Sequence, residues 1–229
     1  MTRLGVVTGL ATEAGIVARA EPLSEAPAIS GADSARAAES AGRLIAQGAE
    51  ALLSFGIAGA LSPALRPGAL ILPSAVVLPD GGRIETDPRW RQKLAACLEG
   101  QGLTAAGGPL LGSAEAVTTP KAKAALFARH GALAVDMESH AVAAAAQAAG
   151  RPFLVLRSVA DPAERALPGW AMAATGADGR VKPGVAIAAL SRRPWQVPAS
   201  IRLGVETRSA LKALGRAVGL CPHLGLPLL

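Results

Sequence analysis

Short apolar runs recur along the chain, and each stops at a glycine, a proline or a charge. Leu4-Gly5-Val6-Val7-Thr8 reads as a buried strand ending at Gly9. Residues 21–32 carry Pro22, Pro27, Gly31 and two serines, a composition that predicts a loop. The Ala-rich stretch from Ser34 to Gln47 predicts a helix, with Leu44 and Ile45 on its apolar side and Gly48 closing it. Ala51-Leu52-Leu53-Ser54-Phe55 predicts a second buried strand, followed by a glycine turn at Gly56-Ile57-Ala58-Gly59. Residues 69–72 and 75–78 read as one extended segment broken by Pro73, and Asp80-Gly81-Gly82 as a turn.

Asp87-Pro88 and Thr119-Pro120 each set a capping side chain before a proline suited to a first helical position. They predict helices over 88–100 and 120–130. A short strand is expected at 132–135, a helix at 138–149 ended by Gly150, and a strand at 152–159 that is apolar except for Arg157 and Ser158. Residues 162–198, rich in Pro and Gly, read as irregular. A last helix spans about 199–218, with Leu203, Thr207, Ala210, Leu211, Leu214 and Val218 on one stripe. Such a stripe packs into a core or lies on a basic, lipid-facing surface. Strands alternating with helices imply an α/β fold around a largely buried sheet. Without repeats or low-complexity linkers, residues 1–229 read as one domain.

Composition narrows the function classes. The chain has 229 residues, 51% of them hydrophobic, 3% aromatic, and a formal net charge of +6. So few aromatic rings argue against base-stacking nucleic-acid platforms. The positive mean hydropathy of +0.36 is mostly alanine, and no apolar run reaches the about 18 residues of a membrane span. Arg3 with Ala18-Arg19-Ala20 resembles a secretory signal, but Glu13 interrupts the apolar stretch, favouring a buried strand. Cys97 and Cys221 are far apart with no C-x-x-C, so they read as reduced thiols of a cytoplasmic protein. His130 and His223 lack carboxylate or Cys partners at ligand spacing, and no metal site is expected. His140 lies two residues after Glu138.

The densest constellation is Val135-Asp136-Met137-Glu138-Ser139, with Arg157-Ser158-Val159-Ala160-Asp161 following 19 residues later. Acidic residues at the C-terminal ends of buried strands face the crevice where open α/β sheets bind ligands. A partly desolvated carboxyl there suits general acid chemistry. Alternatively, Asp136 caps the next helix and Asp161 opens a turn before Pro162.

These two motifs resemble the signature of the nucleoside phosphorylase and nucleosidase superfamily: an acidic-Met-Glu tripeptide leading a helix, then a strand ending in Arg-x-x-x-Asp. Residues 54–61 resemble its glycine turn, Gly9-Leu10-Ala11-Thr12-Glu13 its first loop, and Ser30-Gly31 its third loop. The resemblance implies a three-layer α/β phosphorylase/hydrolase-like fold with a central mixed sheet flanked by helices. It implies N-glycosidic cleavage of a nucleoside, closest to the bacterial methylthioadenosine nucleosidases. Asp161 would then protonate N7 of a purine, Glu138 would hold the ribose hydroxyls, Met137 would pack on the sugar and Arg157 would orient the carboxylates. Leaving-group protonation with hydroxyl contacts that tighten in the transition state is the general logic of glycoside cleavage. Gly9, Ala58, Gly59 and Val117 would line the substrate site. No cofactor is implied beyond inorganic phosphate as a co-substrate. A homodimer or larger assembly is implied for the protein.

Four positions depart from the family pattern. The first-loop Glu that activates water in the hydrolases aligns with Ala14, and Glu13 lies one residue away. The phosphate ligands of the phosphorolytic branch align with Ser54 and Ile57. Arg36, with Gly31, offers an alternative anion site at a helix N-terminus, or is a solvated helix residue. Val117 stands where the family has an aromatic ring against the purine. Two further strands that the family usually has before Ser30 find only about a dozen residues here.

A narrower resemblance involves residues 30–37, the trimmed N-terminal half and Ser191-Arg192-Arg193-Pro194-Trp195. These are similar to the hopanoid-associated phosphorylase-like proteins, implying release of adenine from adenosylhopane. Trp170, Trp195, Arg192 and Arg193 would then form a lipid-facing entrance, with peripheral membrane contact. Methylthioadenosine or adenosylhomocysteine hydrolysis is the alternative within the family. A non-enzymatic nucleotide-binding module is the third reading, opposed by the absence of G-x-G-x-x-G and of a Walker lysine. A nucleic-acid partner is not expected.

Overall fold

The predicted first strand forms β1 (Leu4–Thr8), buried along its whole length, and the chain then enters α1 (Ala11–Ala20). The computed structural model describes residues 3–20, 23, 25–221 and 224, so His223 lies outside the described residues. The expected loop at 21–32 contains a strand, β2 (Ala28–Ile29), parallel to β1. Helix α2 (Ser34–Ala46) starts where Asp33 accepts a hydrogen bond from the Arg36 amide at 2.9 Å.

The glycine turn expected at 56–59 is not there. Strand β3 runs unbroken from Ala51–Ala60. No phosphate-cradling loop therefore forms at Gly56-Ile57-Ala58-Gly59, which removes the feature behind a nucleotide-binding module. The segment broken by Pro73 is two separate strands, β4 (Leu70–Ile71) and β5 (Ala75–Val77), with different partners. A hairpin to β6 (Arg83–Glu85) leads to α3 (Pro88–Gly100), capped by Asp87 through the Trp90 amide at 2.7 Å. Strands β7 (Ala105–Ala106) and β8 (Pro109–Gly112) follow, both too short for the apolar pattern to show.

Helix α4 (Pro120–His130) is capped by Thr119 and closed by Gly131 in the left-handed region. Strand β9 (Ala134–Asp136), α5 (Ser139–Ala148) and β10 (Phe153–Asp161) match the predicted elements within two residues. The stretch expected to be irregular holds α6 (Trp170–Ala173), α7 (Pro183–Arg192) and a 3₁₀ turn at Pro194–Gln196. Helix α8 (Val197–Leu220) follows.

The strands form one mixed sheet in the order β6-β5-β8-β9-β3-β10-β4-β7, with β1 on β3 and β2 on β1. Alternation along β3 sorts the core. Leu52 joins α2 and α5 on one face, and Ala51, Leu53 and Phe55 join α1, α3 and α8 on the other. Helices thus cover both faces of the sheet, the three-layer arrangement expected.

Along one edge β3 changes partner. Its first half pairs with β1 in parallel (Leu4 opposite Ala51 through Thr8 opposite Phe55), and its last residues pair with β9 in antiparallel register. Residues 56–58 between them have no strand on that side. Such a partner switch opens a crevice beyond the carboxyl ends of the parallel strands.

Two cysteines correct the sequence reading. Cys97 and Cys221 form a disulfide across 124 residues of sequence, with Cα atoms 5.9 Å apart. Both α3 and the end of α8 pack on the same sheet face, which brings together thiols that spacing alone would leave reduced. Among the described residues no helix is long and apolar enough to cross a membrane.

Candidate active site

The edge left open on β3 is filled by a side chain. Glu13, on the first turn of α1, is buried and accepts three backbone N–H groups. Oε2 takes those of Gly9 at 3.0 Å and Leu10 at 2.7 Å, and Oε1 takes that of Ile57 at 2.8 Å. The Ile57 amide is free to donate because β3 has no strand partner there. Burial pushes the Glu13 carboxyl above its ordinary value, against the pull of Arg157 and the three amides.

Arg157 enters from β10 and is 1% exposed. Its Nη2 lies 2.5 Å from Asp136 Oδ2 and 3.2 Å from Glu138 Oε2, and it donates to Ser54 Oγ at 2.7 Å. Burial alone would lower the guanidinium pKa, but Asp136, Glu138 and Glu13 together raise it. Three acidic side chains around one cation leave an excess of negative charge. Burial, with Asp136 and Glu13 adding to it, pushes Glu138 up to about 8 against the attraction of Arg157. Its surroundings therefore favour the protonated form of Glu138.

Asp136 lines the cavity and also bonds to the start of α5, the two positions the sequence left open. It pairs with Arg157, and it caps α5 by accepting the Ser139 amide at 3.2 Å and the Ser139 hydroxyl. Ser54 and Ser139 share a hydrogen bond of 3.0 Å behind the site, so Ser54 is committed inside the protein.

Asp161 ends β10, where the register with β3 shifts. Its Oδ2 accepts from Lys123 Nζ at 2.6 Å. Burial raises the Asp161 carboxyl, with Lys123 and Arg165 acting in opposition. The result is an acid held at the mouth of a crevice with a retained tendency to carry a proton.

Gly9, Glu13, Ala58, Gly59, Val117 and Met137 border one cavity of about 530 Å³, together with Glu138 and Asp161. Arg157 stands directly behind it. The structure does not bring Arg36 and Gly31 there. Arg36 donates from Nε to Ser30 O at 2.6 Å and from Nη2 to Gly31 O at 3.3 Å, and its Nη1 is 3.6 Å from Asp33. Gly31, at φ +64°, packs so closely on residues 176–177 that a Cβ would meet the Gly176 and Ala177 carbonyl oxygens at 2.7 Å. Both residues anchor the third loop under the segment that follows α6. His140 lies beside the site on α5, with its pKa lowered by burial.

The far side of the cavity comes from a part of the chain that sequence reading assigned to core or surface. Leu203, Thr207 and Leu211 on α8 line it, with Trp170 on α6. Ala210, Leu214 and Val218 are buried in the core instead. The predicted stripe is real but divides in its use along the helix. The buried Nε1 of Trp170 has no hydrogen-bond partner among the described residues. Lys123 and the Ser54–Ser139 pair also went unmarked. No local pattern distinguishes them, because their partners lie 38 to 103 residues away.

Residues 29–181 match the phosphorylase superfamily. No curated protein matches the chain significantly. Among solved structures, the chain is similar to S-adenosylhomocysteine nucleosidase from Streptococcus pyogenes, at 17% identity and a TM-score of 0.72, covering 98% of this chain and 97% of that one. It is similar to 5'-methylthioadenosine/S-adenosylhomocysteine nucleosidase from Helicobacter pylori, at 19% identity and a TM-score of 0.67, over 95% and 98% of the two chains. It also resembles futalosine hydrolase from Helicobacter pylori, at 18% identity and a TM-score of 0.67, over 94% and 96%. These likenesses establish the shared fold.

Proposed function

This chain belongs to the phosphorylase superfamily, and we propose that it is a nucleosidase that cleaves the N-glycosidic bond of an adenosine bearing a bulky apolar 5' substituent. One observation carries the reading. A single cavity is lined both by the carboxyl groups of Asp161, Glu138 and Glu13 and by Leu203, Thr207 and Leu211 of α8.

In this reading Asp161 gives its proton to N7 of the purine as the C1'–N9 bond breaks. The bonding electron pair leaves with the base, and the sugar acquires oxocarbenium character. Glu138 binds the ribose hydroxyls. It does so best ionised, and bound hydroxyl donors would favour that form. Glu13, as the carboxylate, takes a proton from water as the water oxygen bonds to C1'. Its place at the start of α1, in the cavity lining, supports this role, although the chain has Ala14 where the family pattern sets its glutamate. Water is favoured over phosphate because the donors of Arg36 are spent on backbone carbonyls and Asp33.

The 5' substituent would run along Leu203, Thr207 and Leu211. Adenosylhopane suits a cavity arm of that character, and its release of adenine would belong to hopanoid biosynthesis. Such a substrate sits in a bilayer, and the outer side of the same region supports peripheral lipid contact. Ile187, Trp195, Ile201 and Val205 are exposed there, with Arg192, Arg193 and Arg202 among them. Methylthioadenosine or adenosylhomocysteine hydrolysis is the second reading, favoured by the buried Glu13.

Adenine release from 5'-deoxyadenosine, methylthioadenosine and adenosylhopane in detergent, with and without phosphate, tests the proposal. Adenosylhopane should give the highest kcat/KM, independent of phosphate. Asp161→Asn should lower kcat by about 10²–10⁴-fold. A preference for methylthioadenosine selects the second reading, and no adenine from any of the three defeats both. Binding to anionic liposomes that is unchanged by Arg192→Glu with Arg193→Glu would remove the membrane contact.

A further inference from the structure

The Lys123 side chain crosses from α4 to the end of β10 with no exposed surface. A buried ammonium is costly unless every N–H finds an acceptor. Here all three do: Asp161 Oδ2 at 2.6 Å, Pro162 O at 2.8 Å and Arg165 O at 2.9 Å. Three acceptors match the three donors of a lysine ammonium. Asp161 Oδ1 takes no hydrogen bond from the described residues, while Asp161 itself lines the main cavity.

We propose that Lys123 is the positioning residue for Asp161: it fixes one carboxyl oxygen and stabilises the carboxylate formed when the other gives its proton to the leaving base. The proposal rests on the reaction argued above. In the step, the Asp161 O–H bond breaks and a base N–H bond forms, while Lys123 keeps its own protons. The negative charge that develops on Asp161 meets an ammonium already in place, so no reorganisation is needed in the transition state.

The charged groups around Asp161 come from several elements. Lys123 faces it from α4. Arg165 and Glu164 follow β10 and share a smaller cavity with it, as do Arg202 and Glu206 of α8. Glu206 is paired with Arg165. On the main-cavity side stand Glu13, Glu115, Asp136 and Glu138, with Arg208 of α8. Among the described residues, Lys123 is the charged group that hydrogen-bonds the Asp161 carboxyl.

The test compares wild type, Lys123→Met and Lys123→Gln. Asp161 must be protonated to act, so activity falls as pH rises through its pKa. Removing the ammonium raises that pKa. The alkaline limb of the kcat profile should therefore move to higher pH, while maximal kcat falls about 10–100-fold and KM changes by less than about threefold. Lys123→Gln retains donors without charge, so it answers the question should the Met variant fail to fold. An alkaline limb unmoved in a folded variant overturns the proposal, as does a loss that appears in KM alone. A ¹³C titration of the Asp161 carboxyl reads the same shift without turnover. An Asp161 pKa that does not rise in either variant overturns the inference, even where wild type cleaves none of the nucleosides.

Discussion

A Cβ placed on Gly56 would lie 2.6 Å from Glu13 Oε1 and 2.5 Å from Arg157 Nη1. The glycine is therefore required by two side chains that converge on the strand from different elements. Its φ of +157° adds a backbone condition that other residues rarely meet. The glycine signal in the sequence was real, and its cause is close approach within an unbroken strand.

Gly56→Ala should accordingly displace both Glu13 and Arg157. Overpacking of a buried site typically costs about 1–3 kcal/mol, and the displaced charges lie at the upper end of that range. A lower midpoint in chemical denaturation, with adenine release reduced at least about 100-fold in the folded fraction, is expected. Wild-type activity in Gly56→Ala would refute the packing argument.

Glu138 makes stability depend on pH. Its carboxyl is raised from 4.5 to about 8 in the folded protein. Below the ordinary value both folded and unfolded states carry the proton, and the contribution is fully present. Between the two values the unfolded chain releases its proton while the folded one retains it, so stability falls as pH rises. Thermal midpoints should decline from about pH 5 to pH 8, by a free energy of order a few kcal/mol. Glu138→Gln should flatten this decline, and an equally steep decline in the variant would assign it elsewhere.

The disulfide fastens the end of α8 to α3, where Trp90 Nε1 also donates to Leu224 O at 2.7 Å. It closes a loop of more than a hundred residues, for which chain entropy gives an upper figure of about 4–5 kcal/mol. Cys221→Ser, or reduction of the wild type, should lower the melting temperature by several degrees. Calorimetry with and without reductant measures this, and identical curves would show that packing alone holds α8.

The apolar arm of the cavity predicts selectivity that can be tuned. Leu211→Trp adds bulk on the α8 side of the cavity. It should lower kcat/KM for a long 5'-alkylthio adenosine about tenfold or more, and for methylthioadenosine by less than about threefold. Equal losses for both substrates would place the 5' substituent elsewhere.

Much of this was legible locally. Asp87 and Thr119 cap their helices because a short polar side chain before proline satisfies an orphan amide wherever the helix packs. Strands β3 and β10 announced themselves as apolar runs, and Asp161 by its place at a strand end. The acidic-Met-Glu and Arg-x-x-x-Asp spacing brought Glu138 and Arg157 into view together. Short strands such as β2, β7 and β8 did not show, because two to four residues give no period to read.

The amino-acid sequence determined the α/β class, the main helices and strands, and the residues able to do acid chemistry, since each depends on neighbours a few positions away. The tertiary structure decided the rest. It joined Cys97 to Cys221, enclosed Lys123 against Asp161, brought Glu13 to the open edge of β3, and turned Leu203 and Leu211 toward the cavity. Each of these joins residues that packing alone makes adjacent. Burial then changes their chemistry, because a carboxyl or an ammonium withdrawn from water takes its character from the few groups that still touch it.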